Sequence, residues 1–312
     1  MNTDTLSLDA ATLDHLKSWV GKTEILNDAI VAAPMRGLSA TLDRDDAEPV
    51  AGTALPPLWH WLYFLPQPRQ SEIGLDGHAK RGGFLPPVPL PRRMWAGGRL
   101  QWQAGNPLLV GDAIRRESRI EAVSHKAGRS GDLVFVLVKH DIHNAQGLAL
   151  REEHDIVYRA DVAPTLVASR TTPPPEEALA SKGGPSALAA GLTPQAAWTA
   201  TLTPNDVLLF RYSALTFNGH RIHYDRKYVT EVEGYPGLIV HGPLLATLLL
   251  DLLRKNLAGA SVAKFEFRAL RPVFDIASFK LHGQPALDGK TVTLWIADQQ
   301  GALCMQATAT LA

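Results

Sequence analysis

The chain has one cysteine, Cys304, so no disulfide forms within it, and a reducing compartment suits it. It has no excess of charge: 31 basic and 31 acidic residues give a formal net charge of zero. Nucleic acid or an anionic membrane surface would demand a basic excess, so neither is an expected partner. It has no long hydrophobic run either. The most apolar stretch, LIVHGPLLATLLLDLL (238–253), is interrupted by His241, Gly242, Pro243 and Asp251 and is too short to span a bilayer. The first residues, MNTDTLSLDAATLDHLKSWVGK, show no basic segment followed by an apolar one, and a cytoplasmic protein is expected. No Gly-x-Gly-x-x-Gly follows a strand pattern and no Gly-x-Ser-x-Gly elbow is present, which argues against a dinucleotide site and a serine hydrolase.

What is present is apolar and strongly punctuated. Hydrophobic residues make up 46% of 312 residues, enough for two cores. Residues 9–18 read as a short helix, and PLWHWLYFLP (57–66) as a second, aromatic one. A loop rich in proline and glycine follows to Pro91, long enough to suggest function. RLQWQ (99–103), AIRRESRIEAVSHK (113–126), LVFVLVKHDIHN (133–144) and LALREEHDIVYRA (148–160) alternate or run β-rich, with turn signals between them. GRSG (128–131) reads as a hairpin turn. The only linker composition lies at 164–196. After it the plan repeats: a β-rich opening, a helix in GPLLATLLLDLLRKNLAG, then KFEFRALRPV, ASFKLHGQ, KTVTLWIAD and ALCMQATATL as strands. That helix is apolar on nearly every face and must be buried, with Pro243 suited to its first turn. The expectation is an α+β chain of two similar halves: an N-terminal domain (1–163), the linker (164–196) and a C-terminal domain (197–312).

The chemistry concentrates in RYSALTFNGHRIHYDRKY (211–228), which packs Asn218, His220, His223 and Asp225 into eight residues. Imidazole titrates near working pH, which makes His223 a natural base. Asn218 can orient a water. Strand alternation would place Asp225 on the face of His223, whereas a turn residue or cap is its commoner role. His220 is either a solvated loop histidine or a supporting group. A Ser213–His223 nucleophile pair is set aside for want of an elbow. His220, His223 and Asp225 do not have a familiar zinc spacing, and no metal is expected. Gly242 heads the buried helix, so its backbone N–H and the helix dipole suit a developing oxyanion; Pro243 has no N–H to give.

The motif Asn218-Gly219-His220-Arg221-Ile222-His223 resembles that of the MaoC-like, or hydratase type 2, family, written Asp-x-Asn-Pro-[aliphatic]-His. His223 falls on the family's catalytic histidine, Asn218 on its aspartate and His220 on its asparagine. TFNGHRIHYD is similar to the subgroup of type 2 hydroxyacyl-thioester dehydratases and mesaconyl-C4-CoA and itaconyl-CoA hydratases. WVGKTE (19–24), AAPMRGLSATLD (32–43) and GGFLPPVPLPRRMWAGGRLQW (82–102) resemble that subgroup's noncatalytic N-terminal half. The resemblance implies a double hotdog, two antiparallel sheets each wrapped around a central helix. It implies a lyase that adds water to an enoyl-CoA thioester without metal or redox cofactor, one active site per chain and a silent N-terminal half. Further association into a homo-oligomer is expected from free sheet edges.

The resemblance to that subgroup favours short branched C5 dicarboxylyl thioesters as substrates. Their free carboxylate would want Arg211, His220 or Arg221, and Arg92 and Arg93 are candidates for the CoA phosphates. Three alternatives stay open: a straight-chain 3-hydroxyacyl-thioester dehydratase, a hotdog thioesterase using Asp251 on the central helix, and an acyl-CoA-binding protein that has lost activity.

Overall fold

The structure, a computed structural model, describes residues 8–128, 131–160 and 195–312. Among these the chain runs α1 (Ala10–Lys17), β1 (Thr23–Ala29), α2 (Ala32–Thr41), β2 (Arg92–Trp102), β3 (Ala113–Gly128), β4 (Gly131–Asn144) and β5 (Gly147–Arg159). It continues with β6 (Trp198–Leu202), α3 (Asp206–Leu215), α4 (Gly242–Asn256), β7 (Val262–Ala269), β8 (Phe279–Pro285), β9 (Thr291–Ala297) and β10 (Leu303–Leu311). All the strands join one antiparallel sheet in the order β1-β3-β4-β5-β2-β7-β10-β9-β8-β6. The strands before residue 160 occupy one half and those after 197 the other. The expected linker and the centre of the 128–131 turn lie outside the described residues.

The halves meet where β2 pairs with β7, Gly97 opposite Arg268 and Gly98 opposite Phe267. A Cβ on Gly97 would stand 2.5 Å from the Phe267 carbonyl oxygen, and one on Gly98 2.8 Å from its ring. Only glycine lets the two strands close here. A bulge between Trp95 and Gly97 bends β2 at the same point.

Helix α4 is the helix expected to be buried. Every residue from Leu244 to Leu253 is buried, and the helix lies across β6, β8, β9 and β10. Its leucines share one core with Leu209 and Tyr212 of α3 and with Met35 and Leu38 of α2. A second core lies under α1, where Leu16 meets Ile120, Val134, Val136, Val138 and Tyr158.

Two elements differ from the sequence reading. PLWHWLYFLP forms a single 3-10 turn, Trp59–Leu62, because Leu58 and Phe64 on either side take left-handed backbone, φ 70° and 54°. The Phe64 N–H is tied to Asp28 Oδ2 at 2.6 Å. The opening of the second half is also less β-rich than expected. After β6 comes α3, capped by the Asn205 side chain, which accepts the Leu208 N–H at 2.8 Å. The stretch 211–228 therefore begins in a helix and continues in turns.

Candidate active site

His223 sits in a 3-10 turn, Arg221–His223, held against the strand-like segment leading to α4. Ile239 donates its N–H to the Ile222 carbonyl at 3.0 Å, and His223 Nδ1 donates to the Ile239 carbonyl at 2.7 Å. A carbonyl only accepts, so the proton is on Nδ1 and Nε2 keeps its lone pair. The ring of His223 stacks on that of His241, centroids 3.7 Å apart and planes at 18°. His241 is wholly buried, and its Nε2 is 2.8 Å from Ser213 Oγ. Ser213 thus partners His241, not His223. Burial lowers the pKa of His223 to about 4 and also holds that of His241 down. His223 is a neutral imidazole across the working range.

Asn218 is half-buried. Its Oδ1 accepts the His220 N–H at 3.0 Å, which fixes the amide and leaves Nδ2 and the second lone pair of Oδ1 to hold a water. Asp225 does not share a face with His223. The 3-10 turn breaks strand alternation, and the carboxylate binds Arg221 Nη2 at 2.8 Å and caps the Tyr228 N–H at 3.0 Å. Arg221 is spent on the same lock: it also donates to the Leu75 carbonyl and lies 4.1 Å over the Tyr228 ring. Arg211 is exposed and outside the cleft lining, and Arg92 turns to Glu233 and the Tyr235 ring. Arg92 and Arg93 both line the cleft. Arg93 bonds Tyr158, and its charge acts on His78, His220 and His154.

Gly242 opens α4 and lines the same cleft, a cavity of about 3280 Å³. A Cβ built on Gly242 meets nothing within 4 Å, so its packing does not require glycine. The open space lies over a helix N-terminus, where an oxyanion is favoured. Gly242→Ala should leave the melting temperature unchanged yet lower kcat/KM about tenfold or more if an oxyanion sits where the sequence leads one to expect it, because the new methyl would take its room. Thermal melts and steady-state kinetics on the variant check this.

Sequence reasoning missed two groups that the fold brings to this site. The loop before β2 turns back at Ile73–Ala79 and lies on the motif: Arg221 donates its N–H to the Asp76 carbonyl at 2.9 Å. It carries Asp76 and His78, joined Oδ2 to Nδ1 at 3.0 Å, and His78 packs on His220 with centroids 3.9 Å apart. Burial opposes the charge on Asp76, but hydrogen bonds from His78 hold its carboxyl well below the usual range. Asp76, His78 and His220 place one ligand atom each within 4.8 Å of one another, a donor set that also suits a divalent cation. Hydrogen bonding and ring packing account for their contacts. The N-terminal half also buries Glu152, bound by His60 and Trp61 at 3.0 Å each, near His140 and His154. The signal for Asp76 and His78 was the Asp-Gly-His triplet at 76–78, which has no partner within reach in sequence.

Burial lowers the pKa of His140 to about 4 and of His154 to about 3. Together with His223 they make the fold acid-sensitive. Each histidine binds a proton in the unfolded chain near pH 6.5 but not in the folded one until pH 3 to 4. Their contribution is complete above 6.5 and is lost as pH falls from 6.5 toward 4. Protonating His223 in place would cost on the order of 3 kcal/mol given its pKa of about 4. Chemical denaturation at pH 7.5 and 5 should show a clear loss at the lower pH.

The hydroxyacyl-thioester dehydratase type 2 family pattern matches residues 58–275. A mesaconyl-C4-CoA hydratase from Chloroflexus aurantiacus is 43% identical over 295 residues, covering 94% of this chain and 97% of the relative. A mitochondrial hydroxyacyl-thioester dehydratase type 2 from Schizosaccharomyces pombe is 28% identical, covering 80% and 86%. Among solved structures a MaoC-like dehydratase superposes with TM-score 0.66 at 12% identity, covering 95% of this chain and 99% of that one. A Mycobacterium tuberculosis protein described as having a double hotdog fold superposes at 0.55 and 14% identity, covering 96% and 98%. Fold and sequence agree on one class: the MaoC-like hydratases, α+β double-hotdog lyases that add or remove water at a CoA thioester. Within that class, the chain belongs to the hydroxyacyl-thioester dehydratase type 2 family.

Proposed function

We propose that this hydratase acts on a short branched dicarboxylyl-CoA, of the mesaconyl-C4-CoA or itaconyl-CoA type. His223 is the base. Its Nε2 takes a proton from water as the oxygen bonds to the β-carbon, and the π pair moves toward the α-carbon and thioester. The Gly242 N–H and the α4 dipole hold the charge that develops on the thioester oxygen. The Asn218 amide orients the water. The observation that carries this reading is the His223–Ile239 hydrogen bond, which fixes the tautomer with a free Nε2 at the cleft. No metal or redox cofactor is required, because the thioester supplies the acidity and the site the geometry. The acyl-CoA class comes from the family; the dicarboxylyl group is supported by 43% identity to a mesaconyl-C4-CoA hydratase.

Arg93 is the side chain best placed for the free carboxylate, since its charge reaches His78 and His220 beside the motif. The remaining expectations, a cytoplasmic location and association through the open edges β1 and β6, accompany this proposal. Among the described residues no helix is long and apolar enough to cross a membrane.

The test is a hydration panel of crotonyl-CoA, mesaconyl-CoA and itaconyl-CoA. Wild type should prefer a dicarboxylyl thioester over crotonyl-CoA. Arg93→Met should erase about 10- to 100-fold of that preference, the worth of a charged hydrogen bond. Equal turnover of all three by wild type would refute the substrate assignment.

A further inference from the structure

The site has one imidazole base but, at the place of the family's aspartate, only an amide. Water addition needs a second group, one that carries a proton to the α-carbon. Asn218 cannot carry one, and Asp225 is locked to Arg221 and Tyr228. His241 lies closer to His223 but is wholly buried and outside the cleft lining; among the imidazoles that line the cleft the nearest is His220, whose ring stands perpendicular to that of His223 with centroids 5.5 Å apart. At that separation a proton would pass between the rings through water rather than directly. Behind His220 the N-terminal half inserts His78 and then Asp76.

We propose that His220 is the second acid–base group of the hydratase and that Asp76, acting through His78, supplies the carboxylate missing at position 218. Asp76 and His78 are positioning residues; His220 meets the reacting atoms. The N-terminal half is therefore part of the catalytic machinery, not a cover alone. This rests on the hydratase reading with His223 as base.

The proton count closes without a further reagent. Both imidazoles start neutral. In hydration His223 takes a proton from water, one O–H bond breaks and a C–O bond forms at the β-carbon. The C=C pair moves onto the α-carbon. The proton passes from His223 through water to His220, which delivers it to the α-carbon as the new C–H bond. Both imidazoles end neutral. The imidazolium that forms on His220 is the species that a carboxylate behind it stabilises. Burial does most to keep His220 neutral at rest, and the charges of His78, His223 and Arg93 add to it; Asp76 is the neighbour that favours its imidazolium.

The loop is built to hold this arrangement. Asp76 Oδ1 accepts the His78 N–H at 3.0 Å while Oδ2 faces the His78 ring. Gly74 donates to the His78 carbonyl at 2.7 Å, closing the turn. Asp76→Asn keeps an oxygen for the His78 N–H and removes the charge, so it separates electrostatics from loop architecture.

The experiment compares wild type, His223→Asn, Asp76→Asn and Asp76→Asn/Asn218→Asp on the best thioester, with thermal melts and with chelator-treated protein. Asp76→Asn should lower kcat about 10²-fold with KM changed less than about threefold, and the melt should hold. Asn218→Asp in the Asp76→Asn background should recover at least about tenfold, because it returns a carboxylate beside the imidazoles. A kcat within about twofold of wild type for Asp76→Asn would overturn the proposal. So would a loss confined to KM, no recovery in the double variant, or activity lost to chelator and restored by a divalent cation. If wild type itself hydrates no thioester, the hydratase reading fails. If wild type is active and His223→Asn is not, a negative result at Asp76 refutes only this inference.

Discussion

Replacing His223 with asparagine is expected to lower kcat/KM by about 10³-fold while leaving the protein folded. General-base removal spans roughly 10² to 10⁴. The site favours the middle of that range, because His223 is the motif imidazole whose tautomer a backbone carbonyl holds ready to accept a proton. Asparagine is the informative choice. Its Nδ2 falls near the position of imidazole Nδ1 and can still donate to the Ile239 carbonyl, so the 2.7 Å hydrogen bond that anchors the ring is kept. What disappears is Nε2. Ring stacking on His241 is lost as well, which should cost some stability, but the core behind it is intact. Stopped-flow or steady-state hydration assays together with circular dichroism check the result. Near-wild-type activity would mean that the base lies elsewhere.

The second large effect is expected at Gly77, far from position 223 in sequence. Gly77 has φ 89°, and a Cβ there would stand 1.8 Å from the Gly219 carbonyl oxygen and 2.8 Å from its carbon. No flexible side chain can yield, because both atoms belong to the backbone of the motif. Gly77→Ala must therefore either push the Ile73–Ala79 turn off residues 218–221 or strain both. Left-handed strain alone costs about 1–3 kcal/mol, and the overlap adds to it. The variant should melt about 5 °C or more below wild type, and its kcat should fall by about 10²-fold as the Arg221–Asp76 backbone contact opens. Calorimetry and kinetics on the same preparation decide it. A variant that is active and equally stable would show that the turn is only loosely attached to the motif in solution.

The fold was legible in the sequence where period and composition were strong. Strands β3, β4, β5, β9 and β10 follow the alternating segments closely, because one face of each packs on a core. Helix α4 could be placed from its leucines and Pro243. Helix α3 was not legible because the apolar residues of DVLLFRYSAL fall on no single face and show no helical period, although Asn205 and Asp206 mark its start as a cap and an acidic first turn. β1 was missed because it is an edge strand with few buried side chains. The single sheet joining both halves rests on the Gly97–Gly98 pair, whose meaning appears only once Phe267 lies opposite.

The site was legible in part. His223, Asn218 and Gly242 line one cleft, and the Ile239 hydrogen bond adds a tautomer that no sequence shows. Arg221 and Asp225, attractive for their charge, are tied to each other. Asp251, the carboxylate that a thioesterase would need, is buried against Arg44 and Arg254 and does not line the cleft. Asp76 and His78 could not be read from the chain, since only folding brings them to residues 218–221.

The most direct measurement mixes the protein with mesaconyl-C4-CoA and follows enoyl-thioester absorbance and free thiol together. The predicted result is a fall in absorbance with no thiol released, and approach to the same equilibrium from the hydroxyacyl-CoA side. Thiol release in step with substrate loss, or saturable binding with no change in absorbance, would contradict a hydratase.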